Sequence, residues 1–345
     1  MAYGFPSRAS RPIAAAADPG PALDLIITNG DAAGELLRRA IPGTEVLPWR
    51  DVLHEGPVPL TATLPQLTAI RAAYLAERGW GDREEIAAYM QARDRGLARA
   101  SDFDRVILWF EHDLYDQLQL LQILDWFSRG ERGANLLLVQ ASEFLGRQTA
   151  DEIEALRALE EPVTEEQLAL AAEAWGAFRA PTPELWQTLL SRDLLPLPFL
   201  ESAVRRMLEE LPGRDGLSRS ERQVLTALAS GITTPPALFV AVQRTEQAVF
   251  MGDWSFWGLL DGLALARVPL IEGLAGAPFR PEGANLSKSY FQSELALTPF
   301  GEAVLEGREE NAAMNEIDRW WGGTYLTNDR LWRFDAETER LIAPA

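Results

Sequence analysis

Cysteine is absent from this 345-residue chain. No disulfide framework, no thiol nucleophile and no cysteine-based zinc or iron–sulfur centre can be built from it. Lysine occurs once, at Lys288, which removes a phosphate-loop lysine and argues against Schiff-base chemistry. Positive charge is scarce overall. The net charge is -19, and the arginines form no concentrated basic patch. Such a field repels phosphate backbones, so nucleic acid is not an expected partner. No apolar run approaches the roughly 18 residues that span a membrane. Residues 1–22 are rich in Ala, Pro, Gly and Ser and are expected to form a flexible extension rather than a targeting peptide. Composition is otherwise that of a soluble globular protein, and a cytoplasmic location is expected.

Histidine is nearly absent as well, and its two occurrences are informative. Both lie among carboxylates, His54 in Trp49-Arg50-Asp51-Val52-Leu53-His54-Glu55-Gly56-Pro57 and His112 in Trp109-Phe110-Glu111-His112-Asp113-Leu114-Tyr115-Asp116-Gln117. Histidine is the side chain best suited to proton transfer near neutral pH and the commonest metal ligand.

Apolar periodicity predicts strands at 23–28, 45–49, 105–110 and 136–139. Helices are predicted at 32–40, within 65–100 and at 114–127. Strands alternating with helices argue for a parallel sheet. The helix at 114–127 is apolar on more than one face and should pack against both the sheet and a neighbour. Residues 150–212 read as helices cut by prolines. From 217 onward the pattern changes to three helices, two short strands and a closing helix, resembling a winged helix. A last hairpin is expected around 324–326 and 331–334, with Asn328-Asp329 in its turn. The expected organisation is a flexible extension at 1–22, a Rossmann-like α/β domain at 23–149, a helical connector at 150–214, and a winged-helix-like α+β module at 215–345.

In open parallel sheets, ligands bind beyond the carboxyl ends of the strands. Three polar clusters fall there: Asn29-Gly30-Asp31, then Asp51, His54 and Glu55, then Glu111, His112, Asp113 and Asp116. Capping competes with function at three of these residues, because Asp31 and Asp113 stand at N-cap positions and Asp116 at N3. Glu111 and His112 directly follow a buried strand, where an unpaired charge costs several kcal/mol. An ion pair with Arg50 or Arg71 would satisfy them. Gly30 and Gly34 do not complete a dinucleotide fingerprint. No G-x-S-x-G occurs, which disfavours a serine triad.

Two chemistries remain open. His54, His112 and Glu111 from separate loops can ligate a divalent metal that acidifies a water. Alternatively, a carboxylate–histidine pair acts as base and a second carboxylate as acid. Under either, Asp51, His54, Glu55, Glu111 and His112 are the candidate catalytic residues. Asn29, Asp31, Arg50, Arg71, Asp113, Asp116 and Gln117 are the candidates for substrate binding.

The helix expected at 253–264 would be the DNA reader of a winged helix, yet it carries no Arg or Lys. Across 217–267 four arginines face four acids. A DNA reader needs phosphate contacts, so packing or a partner subunit explains this aromatic helix better, with a homo-oligomer through this module as one outcome. The diglycine in Asp318-Arg319-Trp320-Trp321-Gly322-Gly323 permits close backbone approach, with packing as the leading explanation.

The motifs Asn29-Gly30-Asp31, Trp49 to Pro57 and Leu108 to Gln117 resemble those of a bacterial family known only as a domain of unknown function. The resemblance continues at Phe250 to Asp253, Asp318 to Gly323 and Trp332 to Asp335. It covers nearly the whole chain from about residue 23 and implies no activity. The expected function is an enzyme acting on a small polar substrate by hydrolysis or group transfer. The alternative is a ligand-sensing or scaffold protein whose C-terminal module binds a partner.

Overall fold

The computed structural model describes residues 24–130, 135–274, 279 and 288–344; the extension expected at 1–22 lies outside them. The chain opens as β1 (Leu25–Asn29), α1 (Asp31–Ala40) and β2 (Glu45–Trp49). Helices α2 (Leu64–Glu77) and α3 (Arg83–Ala98) follow, then β3 (Arg105–Glu111), α4 (Leu114–Ser128) and β4 (Asn135–Ala141). Next come α5 (Ala150–Arg157), β5 (Glu161–Pro162), α6 (Glu165–Phe178), α7 (Glu184–Thr188) and α8 (Leu200–Leu208).

Strands β1 to β5 form one sheet in the order β2-β1-β3-β4-β5. The first four are parallel and β5 is antiparallel. Prolines fall only on its two edge strands, Pro48 on β2 and Pro162 on β5, where a missing N–H costs no ladder bond. The sheet is buried on both faces. Ile26, Ile107, Trp109, Leu137 and Val139 pack under α1 and α5. Leu25, Ile27, Val106, Leu108, Phe110, Leu136 and Leu138 pack on the other face, beneath α4 and its neighbours. Two-sided burial is why these strands read as continuous apolar runs.

Helix α4 lies between the sheet and α6 and α8, and 13 of its 15 residues are buried. Residues 165–211 therefore share one apolar core with the sheet. A second core is built by α9 (Arg219–Ala229), α10 (Pro235–Arg244), α11 (Asp253–Ala264), β6 (Ile271–Glu272), α12 (Lys288–Phe291), β7 (Ala296–Leu297) and α13 (Pro299–Leu305). Ser218 caps α9 in a capping box with Glu221, and Thr298 caps α13. Among the described residues, no helix is long and apolar enough to cross a membrane.

The last part of the chain differs from expectation. After α14 (Asn311–Met314), β8 (Asp318–Trp321) pairs with β9 (Thr324–Thr327), and β10 (Arg333–Asp335) pairs with β11 (Arg340–Ile342). Asn328–Arg330 is a 3-10 turn between two hairpins, not the turn of one. Gly322-Gly323 makes the first turn, with Gly322 at φ 56°, a conformation that favours glycine. That turn returns to the first core, where Trp321 packs against Phe178 and Trp186. A Cβ on Gly323 would stand 1.9 Å from the Arg179 carbonyl oxygen. Gly323→Ala is therefore expected to cost roughly 3 kcal/mol through overpacking against backbone, read as a lower denaturation midpoint. Arg319 is paired with Glu221 at 2.8 Å, so close packing accounts for this motif.

Candidate functional site at the carboxyl edge of the sheet

Parallel register places all three polar clusters at one edge. Asn29 stands beside Trp49, and Glu111 beside Ala141. The chain leaves β1 for β2 on one side and then crosses to β3 on the other, so the crevice between β1 and β3 is the switch point where open sheets bind ligands. Asn29 and Glu111 end the two strands that bound it.

Glu111, Asp113 and Asp116 meet in this crevice, each offering an oxygen within 4.8 Å of the others. Their exposures are 3%, 0% and 0%. Asp113 is the N-cap of α4 and accepts from the Asp116 N–H at 3.2 Å. Asp116 accepts from the Glu111 N–H at 2.8 Å and from the Asn29 amide. Glu111 accepts from the Leu145 N–H at 2.8 Å. Gln117 donates its amide to the Glu111 carbonyl at 2.8 Å. The capping expected for Asp113 is thus real, whereas the Asp116 carboxylate accepts from Glu111 and Asn29, outside the helix, and both residues are part of the cluster. Asp31 is not an N-cap: Gly30 holds that position, and Asp31 pairs with Arg50.

Among the described residues, no arginine forms an ion pair with these three carboxylates. The two expected to do so are engaged elsewhere. Arg50 stacks over Tyr89 and binds Asp31, while Arg71 binds Asp51. Burial, then repulsion from Asp116 and Asp113, pushes the Glu111 carboxyl up to about 10. Burial raises Asp116 to about 7, against the hydrogen bonds from Glu111 and Asn29. Asp113 is raised well above the carboxylate range by burial and by Asp116.

The second cluster is held as a rigid loop. Arg71 is fully buried; it donates to Asp51 Oδ1 at 2.9 Å and to the carbonyls of Glu55 and Val52 at 2.7 and 2.8 Å. Arg93 lies over the Trp49 ring, 3.9 Å from the other Asp51 oxygen. Gly56 adopts φ 77°, and a Cβ there would strike Tyr74 and Arg71. Glu55 accepts from Tyr74 at 3.0 Å and from Ser255 of α11 at 2.5 Å, and it pairs with Arg78 at 3.6 Å. Burial alone would raise its carboxyl; Arg78, His54 and these hydrogen bonds outweigh it and hold Glu55 below the usual range.

His54 is buried against Phe250 and Tyr115, and neither ring nitrogen has a hydrogen-bond partner. Burial lowers it to about 4, so it is neutral at pH 7. It lines a cavity of about 10 Å³ between the loop, α4 and α11, room for about one water. His112 is half-buried between Phe144 and Phe199, and its Nδ1 has no partner. Burial lowers it too, against Glu143 and a backbone hydrogen bond at Ala141.

Helix α4 touches every cluster. Asp116 holds Asn29, Gln119 donates to the Asp51 carbonyl at 2.8 Å, and Tyr115 faces His54. The two histidines, however, have separate ring neighbours. Among the described residues, the one group of three prospective metal ligands is Glu111, Asp113 and Asp116, and it contains neither histidine. The expected set of His54, His112 and Glu111 is not gathered into one such group among the described residues. Gln119, Gln122, Arg93 and Ser255 did not emerge as site residues from the sequence. A signal existed for the two glutamines, which are polar positions on a helix too apolar to spare them to solvent. No protein-family model matches the chain, and no curated protein matches it.

Proposed function

We propose that this protein is an enzyme acting on a small polar substrate, by hydrolysis or group transfer, at the β1/β3 crevice of a Rossmann-like unit. One observation carries the reading: three buried carboxylates, with no ion-paired arginine among the described residues, converge at the switch point of the sheet. Strongly perturbed acids in such a crevice are candidates for a functional site. His112 is the partly buried histidine at this edge; burial lowers its pKa, and its Nδ1 is a buried nitrogen without a partner that a substrate entering the crevice would have to reach. Glu111 and Asp116 are the acids behind it. The motifs that suggested membership of a family of unknown function are the ones that build this crevice.

A second reading has its own support. Ser255 and Glu55 tie the second core, proposed here as a winged-helix-like module, to the loop that carries His54. A sensor would use that bond to report ligand binding to a protein partner. The discriminating experiment is a panel of small phosphoesters, carboxyl esters and amides, assayed with wild type and His112→Ala. The variant should fold normally and lose about 100-fold or more in turnover, the scale of a lost general base. Equal turnover in the variant, or none across the panel, would remove the catalytic reading.

A further inference from the structure

We propose that Glu111, Asp113 and Asp116 hold a hard divalent cation, with Ca2+ and Mn2+ preferred over Mg2+. This deepens the enzyme reading and rests on it only for the crevice as the working site. Four donors fix the cluster as acceptors: the N–H groups of Glu111, Asp116 and Leu145 and the Asn29 amide. Both oxygens of Asp116 are occupied by donors, an arrangement that suits the ionised carboxylate. Three acids thus converge in a buried place where no arginine is ion-paired to them among the described residues, Arg147 acting on Glu111 only at longer range.

A second observation points to a cation rather than to protons alone. Asp113 Oδ2 and Gln117 Oε1 are buried oxygens without a hydrogen-bond partner. Gln117 is 1% exposed and turned onto Glu111, whose carbonyl receives its amide N–H. A proton on a carboxyl satisfies one acid, whereas an amide oxygen needs a donor or a metal. Carboxylate and amide oxygens are the ligands of hard cations, and no soft donor is present. Ligands about 2.3–2.6 Å from Ca2+ stand up to about 5 Å apart, the scale of the 4.8 Å spread. Deep burial leaves little room for the waters that Mg2+ retains, hence the preference.

The test is isothermal titration of chelator-stripped, full-length protein with CaCl2, MnCl2 and MgCl2, without substrate. One saturable site is expected, tighter for Ca2+ and Mn2+ than for Mg2+. Asp113→Asn should weaken it at least about tenfold while melting cooperatively, because Asn caps a helix as well as Asp. Glu111→Gln should do the same, and Glu152→Gln, an exposed acid, should bind as wild type. No saturable site, or wild-type affinity in Asp113→Asn, overturns the proposal. The two readings fail separately. Turnover that persists in EDTA and depends on His112 sinks the cation alone; stoichiometric binding with an inert substrate panel sinks the enzyme alone.

Discussion

Arg71→Ala is expected to lower the unfolding free energy by about 3–5 kcal/mol, the cost of leaving a buried charge without its partner. The Arg71 and Asp51 side chains are both fully buried. Loss of the guanidinium strands Asp51, with only Arg93 at 3.9 Å to answer it. The carbonyls of Val52 and Glu55 lose their donors as well. Denaturant unfolding should show a lower midpoint with an unchanged slope. Arg71→Lys keeps the charge but not the fork that reaches three acceptors, so it should recover less than half of the loss. The exposed Arg99–Asp102 pair is the contrast, since removing it should change stability by less than about 1 kcal/mol. A loss below that level for Arg71→Ala would mean that the loop does not depend on this pair. Because the same loop carries His54 and Glu55, the variant also tests whether Arg71 acts only by positioning.

Raising the pH from 7 to 9 is expected to destabilise the chelator-treated protein, and Glu111→Gln should reduce that effect, Asp113 contributing to what remains. The sign follows from the folded and unfolded states. Glu111 titrates near 10 in the fold against an ordinary 4.5. Its contribution is complete below 4.5 and is lost as pH rises toward 10, because the unfolded chain ionises first. Each group of this kind adds a slope of at most about 1.4 kcal/mol per pH unit. Asp116, raised to about 7, acts in the same direction but mainly between 3.8 and 7. His54 acts oppositely: lowered to about 4 from 6.5, it makes the fold more stable as pH rises through that window. Above pH 7 the carboxylate cluster therefore dominates, and the slope belongs to the cluster as a unit. Thermal melts at pH 7, 8 and 9 decide it. A flat wild-type profile would show that the cluster is not protonated in the fold.

The sheet was legible in the sequence because both of its faces are buried. Strands packed on two sides cannot hide polar residues, so Ile26, Ile107 and Leu138 stand in runs that local pattern alone reveals. The expected bounds of β2 match the observed Glu45–Trp49, and α4 ends within one residue of the expected limit. The final hairpins were misplaced because two turn signals compete there. Asn328-Asp329 is a plausible turn in isolation, but Gly322-Gly323 is required by close packing on Phe178 and Arg179, and that neighbour is over 140 residues away in the chain. That the helices expected as a connector share the sheet's apolar core is likewise not legible in the sequence. Apolar periodicity marks the faces of α6 and α8 as buried without stating that α4 is what they bury against.

The chain order alone determined that three polar clusters follow three parallel strands and so share one edge. Composition alone determined that any metal there would be met by oxygen or imidazole, since no thiol exists. Which residues converge was decided only by tertiary structure. Arg50 and Arg71 could have neutralised Glu111, and the fold instead spends them on Asp31 and Asp51. His54 and His112 share the chemistry of a ligand pair but end against different aromatic walls. Charge pairing and burial depend on distances across the sheet, which sequence spacing does not encode. The same distances gather a helix-capping aspartate, a first-turn aspartate and a strand-end glutamate into one group of buried acids at the switch point.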